Sequence, residues 1–313
     1  MICEACLVST CHACTSQNFE HLISADEGSL EVNRCLSCGF VYLASWEQSL
    51  ERFGELYDYY GRLTAEDLRR RYSQENRTRQ RELLKELARD ARGRTLLDVG
   101  CGEGQLLQTA RGEGWDAVGI DLSETAVRLC RERGLCVSLT DFFDSTLDHQ
   151  RFDAIVMSEL LEHVPAPAKF LKRAEELLAE NGILYLTTPN FGSLARRILG
   201  EAWSVIHPEH IGYFERPTLR AMASEQTGLR ELKIEANNIT PSTLVAWLRR
   251  QGAQSALAAT TVHREARRGV DQQLRRAVHQ SRPLGALKQL LNRAVSRAGL
   301  GDTLVAWLQK PAA

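Results

Sequence analysis

From residue 95 onward, short apolar runs alternate with amphipathic stretches of helical period. TLLDVG, WDAVGID, LCVSLTD, FDAIVMSE and GILYLTTPN are runs of strand length. Between the early runs, GQLLQTAR and ETAVRLCRERG repeat apolar residues at helical spacing, and Gly134 closes the second. A third helix opens at Pro167 and carries Phe170, Leu171, Ala174, Leu177 and Leu178 on one stripe, with Asn181-Gly182 as its expected stop. Such alternation demands right-handed crossovers and a parallel sheet, so the predicted class is α/β. Ligands of such sheets sit beyond the carboxyl ends of the strands. Asp98, Asp121, Asp141 and Glu159 all fall there, which core packing alone does not require.

Upstream the pattern changes. WEQSLERFGELYDYYG is an aromatic linker, with Tyr57, Tyr59 and Tyr60 expected to pack the N-terminal segment on the main domain. A polar helix is predicted from about Ala65 to Arg92, with Leu68, Tyr72, Leu83, Leu84 and Leu87 on one stripe and Gly93 at its end. Residues 191–206, FGSLARRILGEAWSVI, mix Arg196 and Arg197 with Leu194, Ile198, Leu199 and Trp203. They read as a lid or substrate wall, with an interfacial helix as the second reading.

Composition narrows this picture. With 313 residues, 43% apolar and 25% charged, the chain can bury a full α/β core and carry one or two small appendages. A formal charge of −1 gives no global electrostatic case for nucleic acid or an anionic membrane, although local patches stay open. The opening MICEACLVST lacks a basic segment and a long apolar core, and no apolar run reaches transmembrane length. A cytoplasmic protein without integral membrane association is therefore expected.

Six of the nine cysteines fall in three CxxC pairs at the start: Cys3/Cys6, Cys11/Cys14 and Cys35/Cys38. Two such knuckles about 20 residues apart can deliver four thiolates tetrahedrally to zinc, and in a reducing compartment a metal is favoured over disulfides. Cys11, Cys14, Cys35 and Cys38 are the expected ligands of a structural zinc, with Gly39 suited to a tight knuckle. Cys3 and Cys6 compete for the role, and His12 or His21 could replace one thiolate. A redox role is disfavoured because no βαβ pattern surrounds the pairs. Cys101, Cys130 and Cys136 read as small core residues.

The most informative stretch is LLDVGCGEG, residues 96–104, followed by AVGID ending in Asp121. A strand emptying into a glycine-rich turn lets backbone approach a ligand, and an acid at the next strand's end can take two ribose hydroxyls. A nucleoside cofactor follows. A dinucleotide fingerprint would continue as GxGxxG into a helix, whereas this chain reads GCGEG, which argues against an oxidoreductase.

From Asp98 to about Leu229 these motifs resemble the class I S-adenosylmethionine-dependent methyltransferases: DVGCGEG, Asp121, LTDFF around Asp141, FDAIVMSELLEHV and LLAENGILYLTTPN. The resemblance implies a Rossmann-like, seven-stranded sheet whose final strand returns antiparallel, and LRELKIEA and GDTLVAWLQKP fit the two late strands. It also implies donor contacts at Asp98, Gly100, Cys101, Gly102, Gly104, Asp121, Leu122, Asp141, Phe142 and Ser158. The expected division is a zinc-ribbon-like segment (1–45), a linker with helix (46–94), the methyltransferase domain (95–250 and 302–313) and a basic helical insertion (251–301). Within that insertion, residues 261–300 hold nine Lys or Arg against Glu265 and Asp271. A dimerisation or substrate-covering face is expected for it, with an anionic partner as the alternative. A homodimer stays open.

SELLEHV bears on the methyl acceptor. Glu159, Glu162 and His163 stand at i, i+3 and i+4, so one helical turn would put them on one face. Two carboxylates and an imidazole suit a hard-to-borderline divalent ion such as magnesium, manganese or zinc. HPEHIGYF offers a further imidazole at His207 or His210, and His210 is favoured because it directly precedes the aromatic run. The arrangement resembles the O-methyltransferases of ubiquinone synthesis and the small-RNA 2′-O-methyltransferases, whose Glu-x-x-Glu-His motif holds an ion beside the acceptor oxygen. That resemblance assigns Glu162, His163 and His210 to catalysis and, with Glu159, to the ion. The competing reading makes Glu-His-Val-Pro a helix cap and loop of a metal-free enzyme. Metal-assisted O-methylation of a small molecule is expected: a sugar, glycan precursor, quinone-like compound or secondary metabolite. A zinc-ribbon RNA methyltransferase and a metal-free N- or C-methyltransferase are the alternatives.

Overall fold

A computed structural model of the chain describes residues 10–51, 73–238 and 294–312. The N-terminal part contains β1 (Phe19–Ala25), β2 (Leu30–Cys35), β3 (Val41–Leu43) and α1 (Trp46–Glu51), and α2 (Gln74–Asp90) leads into the main domain. There β4 (Thr95–Val99), α3 (Gln105–Gly112), β5 (Asp116–Asp121), α4 (Glu124–Arg131), β6 (Val137–Leu139), β7 (Phe152–Ser158), α5 (Pro167–Leu177) and β8 (Leu178–Pro189) alternate. The chain continues through α6 (Leu194–Leu199), β9 (Gly212–Tyr213), α7 (Arg216–Gln226), β10 (Arg230–Asn237) and β11 (Thr303–Gln309).

Seven strands form one sheet in the order β10-β11-β8-β7-β4-β5-β6. β4 to β8 pair in parallel, while β11 runs antiparallel to both β8 and β10, as the resemblance implied. Helices pack on both faces, and this explains why the parallel strands read as continuous apolar runs. Local chemistry sets the helix starts. Ser123 and Ser193 accept hydrogen bonds from the backbone N–H groups of Ala126 and Arg196, and Ser73 caps α2 through Asn76 N–H.

The third helix stops earlier than its sequence pattern predicts. α5 ends at Leu177, because Leu178, fully buried, already pairs with Phe152 of β7. Asn181 then turns the backbone at φ 62° while its N–H donates to Lys310 O, so strand pairing overrides the apolar stripe there.

β1, β2, β3 and β9 form a second, antiparallel sheet, so a two-residue segment of the main domain completes the ribbon. Phe191, Ala195, Trp203 and Ile206 share one buried cluster with Ile23, Val32, Val41 and Leu43. The stretch 191–206 is therefore the wall between ribbon and main domain, not an interfacial helix with an apolar face in reserve. Among the described residues no helix is long and apolar enough to cross a membrane. Cys3, Cys6, Tyr57, Tyr59, Tyr60, the first part of the expected α2 helix and residues 251–293 of the expected insertion lie outside the described residues.

On β11, Trp307 is 3% exposed and meets Tyr185 of β8 edge to face at 5.0 Å. Trp307→Ala is expected to lower the unfolding free energy by about 3–5 kcal/mol in urea titrations. A loss below about 1 kcal/mol would contradict the packing of the late strands on the sheet.

Candidate functional site

The glycine loop begins where β4 ends. Gly100 N–H and Cys101 N–H both donate to Ile120 O, at 2.9 and 3.1 Å, which ties the loop to β5. Gly100, Gly102 and Gly104 have φ of 69°, 54° and 76°, a region that side chains disfavour, and a Cβ at Gly104 would run into Cys130 and Leu135. The loop holds the acid opposite it. Gly102 N–H donates to Asp121 Oδ2 and Ser123 N–H to Asp121 Oδ1, each at 2.8 Å. Two of the carboxylate's roughly four lone-pair positions are thereby occupied, which fixes its orientation and leaves the others for hydroxyl donors.

Three acids are buried together here. Asp98 is 5% exposed, Glu103 3% and Asp121 9%. Burial, then the charges of Asp121 and Glu103, push the Asp98 carboxyl up to about 7. Burial also raises Asp121, against the lowering effect of its backbone hydrogen bonds. A cationic ligand would relieve this charge. Beside Asp121 the surface is apolar: Leu122, Leu139 and Phe143 are all exposed, and Leu139 pairs with Asp121 in the sheet. A flat apolar group beside a hydroxylated one fits that surface.

The expected donor residues divide into those at this rim and those turned away. Asp98, Asp121, the three glycines and Leu122 are at the rim. Asp141 is exposed, with its Oδ1 accepting from Phe143 N–H at 2.8 Å, and Ser158 is exposed at the end of β7. Cys101 contributes backbone to the loop, but its side chain belongs to the core. Phe142 is likewise turned inward, stacked on Phe170 at 5.6 Å, so Phe143 is the exposed ring. Sequence reading missed Glu103, whose signal was an acid inside a buried glycine loop.

A second cluster follows β7. Glu159 adopts φ 52° and its N–H donates to Thr187 O, after which Leu161–His163 form a single 3-10 turn. The expected α-helical turn is therefore not made. One ligand atom from each of Glu162, His163 and His210 lies within 4.8 Å of the others, and Glu159 is not part of that group. Its left-handed backbone breaks the i, i+3 phase on which its inclusion rested.

Glu162 is 1% exposed. Its Oε2 accepts from Thr188 Oγ1 at 2.9 Å, whereas Oε1 has no hydrogen-bond partner and stands 3.9 Å from His163 Nε2. Burial and the Glu159 charge hold this carboxyl well above the usual carboxylate range. His163 Nδ1 donates to Glu209 O at 2.8 Å and His210 Nδ1 to Val205 O at 2.9 Å. Burial lowers both imidazoles, so each is neutral with its lone pair on Nε2, the form that ligates metals. An orphaned carboxylate oxygen next to two such rings fits a divalent ion. Thr188 and the carbonyls of Val205 and Glu209, which orient these groups, carried no sequence signal.

At the ribbon's tip, Cys11 Sγ and Cys38 Sγ are 3.8 Å apart and Cys14 Sγ and Cys35 Sγ 3.5 Å. Zinc–sulfur bonds of about 2.3 Å in a tetrahedron place sulfurs about 3.8 Å apart, so the four-thiol group fits a zinc ion. Gly39, at φ 74°, makes the expected knuckle turn. A cleft of 660 Å³ against α2, lined by Glu82, Tyr185, Lys233 and Trp307 among others, includes none of these site residues.

Residues 66–233 match a family model described as a methyltransferase domain. Proteins named ubiquinone biosynthesis O-methyltransferase are similar to this chain. One from Coxiella burnetii is 29% identical over 167 residues, covering 48% of this chain and 69% of that protein. One from Bordetella avium is 27% identical over 199 residues, covering 57% and 80%. Among solved structures, the plantazolicin methyltransferase BpumL in complex with a desmethyl plantazolicin analogue and S-adenosylhomocysteine superposes with a TM-score of 0.51 at 17% identity, over 85% of this chain and 97% of that one. That likeness establishes the fold.

Asp98 generates a pH prediction. With its folded pKa raised from 3.8 to about 7, the folded chain holds a proton that the unfolded chain releases across that interval, so stability falls as pH rises through it. Asp98→Asn removes this contribution. Thermal melts of the ligand-free protein at about pH 5 and about pH 8 should therefore show a smaller pH-dependent loss in the variant than in the wild type. Equal losses would mean that Asp98 is ionised throughout.

Proposed function

The chain belongs to the methyltransferase-domain family and is an S-adenosylmethionine-dependent enzyme, and from that premise we propose that it methylates a hydroxyl oxygen of a small molecule with the help of a divalent ion. The donor, when bound, supplies a methyl group on a cationic sulfonium. Asp121 takes the ribose hydroxyls, the glycine loop admits the adenosyl group to the backbone, and Leu122 and Phe143 cover the base. The buried acids gathered around Asp98 favour the donor's positive charges over a neutral ligand. Asp141 and Ser158 complete the rim around it.

Glu162, His163 and His210 hold the ion, which would lower the pKa of an acceptor hydroxyl. The observation that carries this reading is Glu162 Oε1, a buried carboxylate oxygen without a hydrogen bond, beside two imidazoles whose Nδ1 protons are already committed. These side chains also align the acceptor with the methyl group and keep bulk water from it. Cys11, Cys14, Cys35 and Cys38 hold a structural zinc in this reading, and the described part of the N-terminal segment, residues 10–45, is a ribbon-like unit that walls the acceptor side. A phosphate-gripping role for that ribbon is disfavoured. Arg34, the one Lys or Arg in residues 1–40, is bound bidentately to Glu215.

Two variants separate donor binding from chemistry. Asp121→Ala should weaken S-adenosylhomocysteine binding about ten- to a hundredfold in calorimetry, as expected for lost hydrogen bonds to a charged group. Glu162→Ala should leave that affinity unchanged. Turnover on phenolic, catecholic and sugar hydroxyls with magnesium or manganese should fall by about a hundredfold or more in Glu162→Ala. A kinetically silent Glu162→Ala would return the site to the metal-free alternative.

A further inference from the structure

Where β3 pairs with β9, one residue, Ile211, links the ribbon to the histidine loop and to the turn that carries Glu162. Ile211, between His210 and β9, has its N–H donating to Glu162 O at 2.9 Å. Its carbonyl oxygen accepts twice from the ribbon, from Leu43 N–H at 3.0 Å and from the His12 ring Nε2 at 3.0 Å, so both lone pairs are in use. This holds the backbone next to His210 from two sides, by the turn that carries Glu162 and by the ribbon.

The geometry around His12 is that of a fixed donor. The ring is 8% exposed and packs edge to face on Phe40 at 5.1 Å and Tyr42 at 6.1 Å, with Trp46 at 5.3 Å. It approaches the loop so closely that a Cβ at Gly212 would stand 3.3 Å from its Cε1 and 2.8 Å from Phe40 Cζ. A side chain at Gly212 would have to displace the Phe40 ring. Cys11, the preceding residue, is one of the four clustered thiols, so the ribbon's tip and the histidine loop are joined by the dipeptide Cys11-His12 and one hydrogen bond.

We propose that His12 is a positioning residue for the ion site: by holding the Ile211 carbonyl it sets where His210 presents Nε2 to Glu162 and His163. The ribbon is then part of the acceptor-site machinery. This rests on the reading that Glu162, His163 and His210 bind a divalent ion. Groups that orient ligands from outside the coordination shell alter metal affinity by about ten- to a hundredfold when lost, and that is the size of effect expected here.

The test uses Mn²⁺ as the probe, titrated into the full chain with its ribbon metal retained and followed by electron paramagnetic resonance and calorimetry. His12→Phe keeps an aromatic ring against Phe40, Tyr42 and Trp46 but deletes the donor. His12→Gln keeps an N–H donor but deletes the ring. His210→Ala reports whether the ion sits at the proposed ligands. The expected pattern is Mn²⁺ affinity lowered about tenfold in His12→Phe, largely retained in His12→Gln and abolished in His210→Ala, with S-adenosylhomocysteine affinity equal in all four proteins. If His12 acts only by packing, the order of the first two variants reverses, and the inference is overturned while the ion reading stands. Wild-type Mn²⁺ affinity in His12→Phe alongside loss in His210→Ala has the same meaning. Binding that is indifferent to His210→Ala, or absent from the wild type, overturns the ion reading and this inference with it.

Discussion

Gathering several carboxylates out of water is among the more costly things a folded chain can do, and this one does so along a single rim. Asp98, Glu103 and Asp121 at the ends of β4 and β5, and Glu162 just past β7, are all under one tenth exposed. Thr188 answers one oxygen of Glu162 and two backbone N–H groups answer Asp121, and the charge left over is carried as raised pKa values. A sheet whose core was all that mattered would have placed apolar residues at these points. In the proposed reading this rim receives positive charge from outside, a sulfonium at one end and a divalent ion at the other.

The rest of the architecture keeps those charges in register. Parallel pairing of β4, β5 and β7 sets the three strand ends side by side, and β8 brings Thr188 under Glu162. The histidines come from more distant chain. His210 lies on the segment that enters the ribbon's sheet as β9, and His163 is oriented by the carbonyl of Glu209 on that same segment. Ribbon, histidine loop and sheet thus meet at one place, and this explains why residues 191–206 bury their apolar side chains between them.

Much of the fold was legible because it is local and periodic. The DVGCGEG loop, the acid that ends β5 and the alternation of strands with helices all sit within short windows, and the structure places them within a few residues of the predicted bounds. The CxxC spacing likewise carried the thiol cluster. Features that depend on backbone conformation or on distant chain were not legible. The left-handed turn at Glu159 removes it from the group its spacing had implied, and Phe142, expected to contact the donor, is a core ring while Phe143 beside it is the exposed one. A two-residue strand such as β9 has no periodicity to read. The hydrogen bond from His12 to Ile211 spans 199 residues of sequence, so only the folded chain reveals it.

The central claim is that this rim binds an adenosyl donor and a divalent ion next to each other. A crystal structure of the protein grown with S-adenosylhomocysteine and Mn²⁺, with anomalous scattering recorded for manganese, tests it most directly. The account predicts adenosyl density with its ribose on Asp121 and its base against Leu122, together with a manganese peak between Glu162, His163 and His210. Saturating ligand that leaves the Asp121 rim empty, or manganese absent from the Glu162 group, would contradict it.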